Sequence, residues 1–131
     1  SDTTTTFLVK DTLFKGSGTG NGNGIDLDSG GSSKIVTHMT IDGCRFEDLG
    51  NAFRQSSNII INGNLSISAC SAININTFIK KEVGATTQSS VVSTNSIWNA
   101  SIFTNGLAPG GNQVFRGNIF QGIAQAESPI I

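Results

Sequence analysis

The feature that most constrains this chain is a short phrase that returns along it: a β-branched or alternating run, a break built on Gly or Asn, then a second short run. It is clearest in "SNIIINGNLSIS" (residues 57–68) and recurs as "MTIDGCRF" (39–46), "VVSTNSIW" (91–98) and "VFRGNIF" (114–120), with a fainter copy in "FLVKDTLF" (7–14). Aligning the breaks gives a column of Asp11, Cys44, Asn64, Asn95 and Asn118. Three residues earlier stand Leu8, Ile41, Ile61, Val92 and Phe115; two residues later stand Leu13, Phe46, Ser66, Ile97 and Phe120, all apolar except Ser66. The column steps are 33, 20, 31 and 23 residues, which reads as a unit of about twenty residues carrying two insertions of about ten.

One such unit cannot bury its own apolar face, so successive units must stack, each strand pairing in parallel with its copy about 4.8 Å along an axis. The expected fold is therefore all-β, a parallel β-helix of about four to five short coils. The form I-x-G-N-x-I around Gly63 and Asn64 resembles the right-handed parallel β-helix of pectate-lyase-like proteins, a group that includes bacteriophage tailspikes. That resemblance implies that Asn64 and its column mates occupy a left-handed turn position and bond through their amides from coil to coil. Asp11 and Cys44 depart from the Asn of that pattern, and Thr94 stands where Gly is expected.

At 131 residues the chain suits one domain, divided into an N-terminal arm (1–6), the β-helix (7–125) and a C-terminal tail (126–131). Only 13% of residues are charged and the net charge is −1, so neither nucleic acid nor membrane insertion is expected. Sixteen Gly with abundant Asn, Ser and Thr suit short strands and tight turns. The Gly-rich stretch 15–24 lacks the Lys-Ser/Thr ending and following helix of a phosphate loop, and reads as a turn. Cys44 and Cys70 fall in different turns, and the reading is that they do not meet. Both are expected to be small buried side chains, with no disulfide and no metal. With no secretory signal, and with Ser1 a residue of the kind left after Met removal, synthesis in a cytoplasm without export is expected.

The first strands of the coils are read as 25–28, 52–54, 73–76 and 101–104, the second as 34–41, 59–62 and 91–93, with loops at 77–89 and 105–112. Stacking the first strands gives an exterior column of Asp26 and Asp28, Arg54, Asn74 and Asn76, then Thr104. In the resembled family this strand lines a saccharide groove, which makes Asp28, Arg54, Asn74, Asn76 and Thr104 the candidate glycan-binding residues. A glycosidase would need two carboxyls about 5 to 9.5 Å apart, and Asp26 and Asp28 are the candidates. A lyase would need a base near a cation, which Arg54 supplies. His38 lies away from the column, and Lys80 and Lys81 fall on a loop.

The leading functional expectation, drawn from the resemblance, is a bacteriophage virion structural protein. It would be a tailspike or fibre domain or a capsid decoration protein, a homotrimeric rod contacting other virion proteins and a host surface polysaccharide, without a cofactor. The trimer expectation buries Ile130 and Ile131 against a neighbouring chain. The alternatives are a glycoside hydrolase or lyase using Asp26, Asp28 and Arg54, and a noncatalytic carbohydrate-binding module with Trp98 or Phe103 as a stacking platform.

Overall fold

The computed structural model describes residues 5–106 and 112–122. Eleven strands follow one another among these: β1 (Thr6–Lys10), β2 (Leu13–Lys15), β3 (Asn23–Leu27), β4 (Lys34–Asp42), β5 (Arg45–Gln55), β6 (Ile59–Ser68), β7 (Ser71–Lys81), β8 (Thr86–Ser93), β9 (Ser96–Asn105), β10 (Asn112–Arg116) and β11 (Ile119–Gln121). One sheet runs β1-β4-β6-β8-β10 and the other β11-β9-β7-β5-β2, with β3 also on β5, and every pairing is parallel. The chain is thus a parallel β-helix, as the repeat predicts. The arm's residues 1–4, the tail 126–131 with Ile130 and Ile131, and most of the 105–112 loop lie outside the described residues.

Each coil turns from the first sheet to the second at a residue with positive φ: Asp11, Gly43, Ala69, Thr94 and Gly117. The next residue points inward, so the internal column is Cys44, Cys70, Asn95 and Asn118, with Thr12 at the corresponding level of the first coil. A second left-handed bend falls four residues later at Asp48, Asn74, Asn99 and Gly122, and folds each long strand of the second sheet into two facets. After glycine, Asn and Asp tolerate this backbone best, which explains the residues at the second bend.

The core is built by alternation. On β4 Met39 and Ile41, on β6 Ile59, Ile61, Leu65 and Ile67, and on β8 Val92 are buried. Through them runs a spine of phenylalanines, one or more per coil. Phe14 stacks on Phe46 (5.3 Å between centroids), Phe46 meets Phe78 edge-on (6.2 Å), Phe78 stacks on Phe103 (5.9 Å), and Phe103 meets Phe115 and Phe120. Such pairs add to area burial by roughly 0.5–1.5 kcal/mol each, so the spine ties every coil to the next.

The register corrects the aligned column in two places. Asn64 is not a rung: it lies within β6, where its backbone N–H donates to His38 Nδ1 at 3.3 Å and its side-chain oxygen accepts from Ser89 Oγ at 3.0 Å. The Gly63-Asn64 break is a bulge, the register slipping there against β8 and between Val36 and His38 against β4. Gly63 serves close approach, since a Cβ there would stand 2.2 Å from the Thr37 carbonyl oxygen. Cys70 takes the vacated rung, so Cys44 and Cys70 occupy successive rungs at one corner of adjacent coils, where the aligned column had set Cys70 at a different corner. Both are free and buried. Asp11 is displaced by one residue, being the left-handed turn itself. The coils from the second to the fifth therefore repeat every 26, 25 and 23 residues, without a twenty-residue unit.

Candidate functional site

The internal ladder is where polar chemistry and architecture meet. Asn95, fully buried, donates from Nδ2 to the Ile67 carbonyl (3.1 Å) and to Asn118 Oδ1 (3.0 Å), and accepts from the Cys70 N–H at 2.9 Å. Asn118 repeats the geometry, donating to the Val92 carbonyl at 3.0 Å and accepting from the Asn95 N–H at 3.1 Å. In the earlier coils the thiols stand in for amides. Cys44 Sγ lies 3.6 Å from the Val9 carbonyl and Cys70 Sγ 3.8 Å from that of Ile41, in each case the corresponding acceptor one coil back. Burial pushes the Cys70 thiol up to about 12, so it is an unreactive packing group.

A second, exposed ladder follows the outer bend. Asn74 Nδ2 donates to Asp48 Oδ1 at 3.2 Å, Asn99 Nδ2 donates to Asn74 Oδ1, and Lys15 pairs with Asp48 at 3.1 Å. The Asp48 carboxyl is held below its ordinary value first by the Lys15 bond and then by Asn74. Asn74 is thus a turn residue with a structural partner on each side. Asn76, on β7 beyond the bend, is exposed.

The predicted catalytic residues do come together. Asp26 and Arg54 are in register on β3 and β5, and Arg54 Nη1 lies 2.7 Å from Asp26 Oδ1 and 3.5 Å from Asp28 Oδ2. Arg54 Nε completes the cluster on Glu82 Oε2 at 3.1 Å, in the connection that follows β7. The guanidinium is raised above its ordinary value, mainly by Asp26, and Asp28 is lowered, mainly by the Gly30 amide that caps it. Because one guanidinium nitrogen contacts both carboxyls, the cation fills the gap that a glycosidic oxygen or attacking water would need. A general acid needs a raised pKa, and Asp28 is moved the other way. The arrangement is that of a partly exposed ion cluster tying the first three coils together.

The column continues as Asp26, Arg54, Lys80 and Asn105, displacing the expected Asn74, Asn76 and Thr104. Thr104 is fully buried, in register with Ile79, and Phe103 is buried in the aromatic spine, so neither faces a ligand. The expected loop 77–89 is mostly strand, with only residues 82–85 left as the connection between β7 and β8. Lys81 accordingly turns inward at 2% exposure, in register with the buried Gln55, and burial pushes its amine down to about 8. Among the described residues no group of three or more His, Cys, Asp or Glu is placed to hold a metal ion. Trp98 stands half-exposed on the facet between the two bends, its Nε1 donating to Gln121 Oε1 at 3.0 Å.

Comparison of the chain with protein-family models, with curated proteins and with solved structures finds no match. What the chain does must be argued from its own residues.

Proposed function

We propose that this chain is a structural component of a bacteriophage virion, a β-helical rod belonging to a tailspike or fibre or to a capsid decoration protein. The observation that carries this reading is where its polar and aromatic side chains are used. Asn95 and Asn118, the Arg54 cluster, the Asp48-Asn74-Asn99 ladder and the phenylalanine spine each bond one coil to the next. A chain that uses its distinctive groups along the axis in this way is suited to bearing load, and the carboxyls of Asp26 and Asp28 are both engaged by Arg54. The likeness of the stacked Asn95 and Asn118 turns to those of pectate-lyase-like β-helices, tailspikes among them, supports the virion setting, and by that likeness the assembly is a homotrimer contacting other virion proteins. The test is mass spectrometry of purified phage particles with immunogold labelling. A stoichiometric signal on tail or capsid is expected, and absence from every particle would overturn the reading.

A further inference from the structure

Both ends of the stack are open sheet edges. Among the described residues no strand lies beyond β1, β2 and β3 at one end or beyond β10 and β11 at the other. Such edges present rows of backbone N–H and C=O groups that invite another strand, and proteins ordinarily cover or blunt them with charge. Here they carry exposed apolar side chains instead, Phe7, Leu8 and Leu13 on the first coil and Val114, Ile119 and Phe120 on the fifth. We infer that the two ends join: the fifth coil of one copy of this chain takes the first coil of a second copy as its next rung, so that copies stack head to tail into a longer rod.

The register names the occupant. Continuing the inward rows by one rung places Val9 of the second copy over Phe115, Thr12 over Asn118 and Phe14 over Phe120. At that corner of the fifth coil lies a hollow of about 230 Å³, lined by Phe115, Arg116, Gly117, Asn118 and Phe120, which the incoming corner would fill. Phe14 stacks on Phe46 and Phe120 packs on Phe103, so the two rings would carry the aromatic spine through the joint. The corner hydrogen bonds agree. In each coil the N–H of the left-handed residue donates to the carbonyl before the bend one coil on, Thr94 to Arg116 at 3.1 Å being the last such bond. The inward rung's carbonyl likewise accepts from one coil on, the last case being Ile119 N–H to Asn95 at 2.8 Å. In the fifth coil the groups at those places are the Gly117 N–H and the Asn118 carbonyl, and the first coil offers their complements, the Lys10 carbonyl and the Leu13 N–H. In the outward row Arg116 would meet Lys10, with Asp11 next to it, so apolar contact and backbone bonding rather than opposite charge hold the joint. The two ends are different surfaces, which makes the contact heterologous and open rather than a closed dimer. The inference does not rest on the virion reading: absence from particles would leave stacking intact, and failure to stack would leave a single rod.

The test is sedimentation velocity of the full chain across the micromolar range, beside Phe7→Asp at one end and Phe120→Asp at the other. Each substitution leaves its carboxylate in water on a single copy and buries it in the joint. The wild type is expected to grow with concentration through one, two and three units, and to keep doing so at high salt, where charge-driven contacts are screened. Each variant alone should stay at one unit, with association weakened at least tenfold and an unchanged circular dichroism spectrum. An equimolar mixture of the two should stop at two units, because the intact fifth coil of Phe7→Asp meets the intact first coil of Phe120→Asp and both outer ends are blocked. That pairing also requires both variants to be folded. A wild type of constant size, whether a monomer or a trimer joined side by side, would overturn the inference. So would assembly that vanishes at high salt, variants that elongate like the wild type, or a mixture that does not pair.

Discussion

Replacing Lys81 with Met should make the protein more stable, by an amount that depends on pH in a defined direction. Lys81 is 2% exposed, and its register neighbour Gln55 is already bonded to the carbonyls of Ile59 and Thr86 and to Thr87 Oγ1. Burial lowers the amine from 10.5 to about 8 in the folded state. At 1.36 kcal/mol per pKa unit, that difference amounts to about 3 kcal/mol of penalty for carrying the charge inside. The sign follows from proton counting. Below pH 8 the amine is charged in both states and the whole penalty is present. Between pH 8 and 10.5 the unfolded chain holds more protons, so stability rises with pH, and above 10.5 the penalty is gone. Lys81→Met keeps the apolar stem and removes the charge. Urea melts of both proteins, paired at each pH from 6 to 11 so that shared titrations cancel, should show the variant ahead by about 3 kcal/mol at pH 7. The gap should close toward pH 10.5. A gap that does not change with pH, or a variant less stable than the parent throughout, would refute the reasoning.

Asn95 on the internal column and Asn64 at the β6 bulge should respond differently to truncation. Asn95→Ala removes three buried bonds and should cost about 2 to 4 kcal/mol, whereas Asn64→Ala on the outer face should cost less than about 1 kcal/mol by the same urea melts. Gly63→Ala should destabilise by about 1 to 3 kcal/mol, because its Cβ would press on the Thr37 carbonyl. Ala69→Gly should raise stability by about 0.5 to 1 kcal/mol in thermal melts, since Ala69 holds φ +54° with its side chain exposed. Arg54→Gln should leave three carboxylates facing one another on a partly exposed surface; a modest loss of about 1 kcal/mol, shrinking in high salt, is expected from melts at low and high ionic strength.

Fold class was legible because alternation at Ile59, Ile61, Leu65 and Ile67 and its copies demands a half-buried strand wherever it falls, and five copies demand stacking. Register was harder to read, for a physical reason. Gly63-Asn64 has the composition of a left-handed turn, but Gly also marks a place where another backbone must pass close by, and only the neighbouring coil reveals which requirement applies. Cys70 was hidden because a thiol does not look like an amide, although both fill the same small inward site. A usable signal was present in the constant four-residue step from each inward rung to the second bend: Cys44 to Asp48, Cys70 to Asn74, Asn95 to Asn99 and Asn118 to Gly122. Asp26 and Arg54 were brought together correctly because they sit in coils with an undistorted register. The error at Gly63 then carried the column away from Lys80 and Asn105, and put Lys81 in a loop.

The stacked register is the claim on which the ladders and the ion cluster depend, and a spin-label distance tests it most directly. Leu8, Thr40, Ser66, Val91 and Val114 form one outward column across the first sheet. Labels at Leu8 and Val114, with Cys44 and Cys70 replaced by Ala, should lie four parallel rungs apart, roughly 19 Å at about 4.8 Å per rung. Double electron–electron resonance should return a single narrow distribution near that value. A mean beyond about 30 Å, or a broad distribution, would contradict a continuous parallel stack.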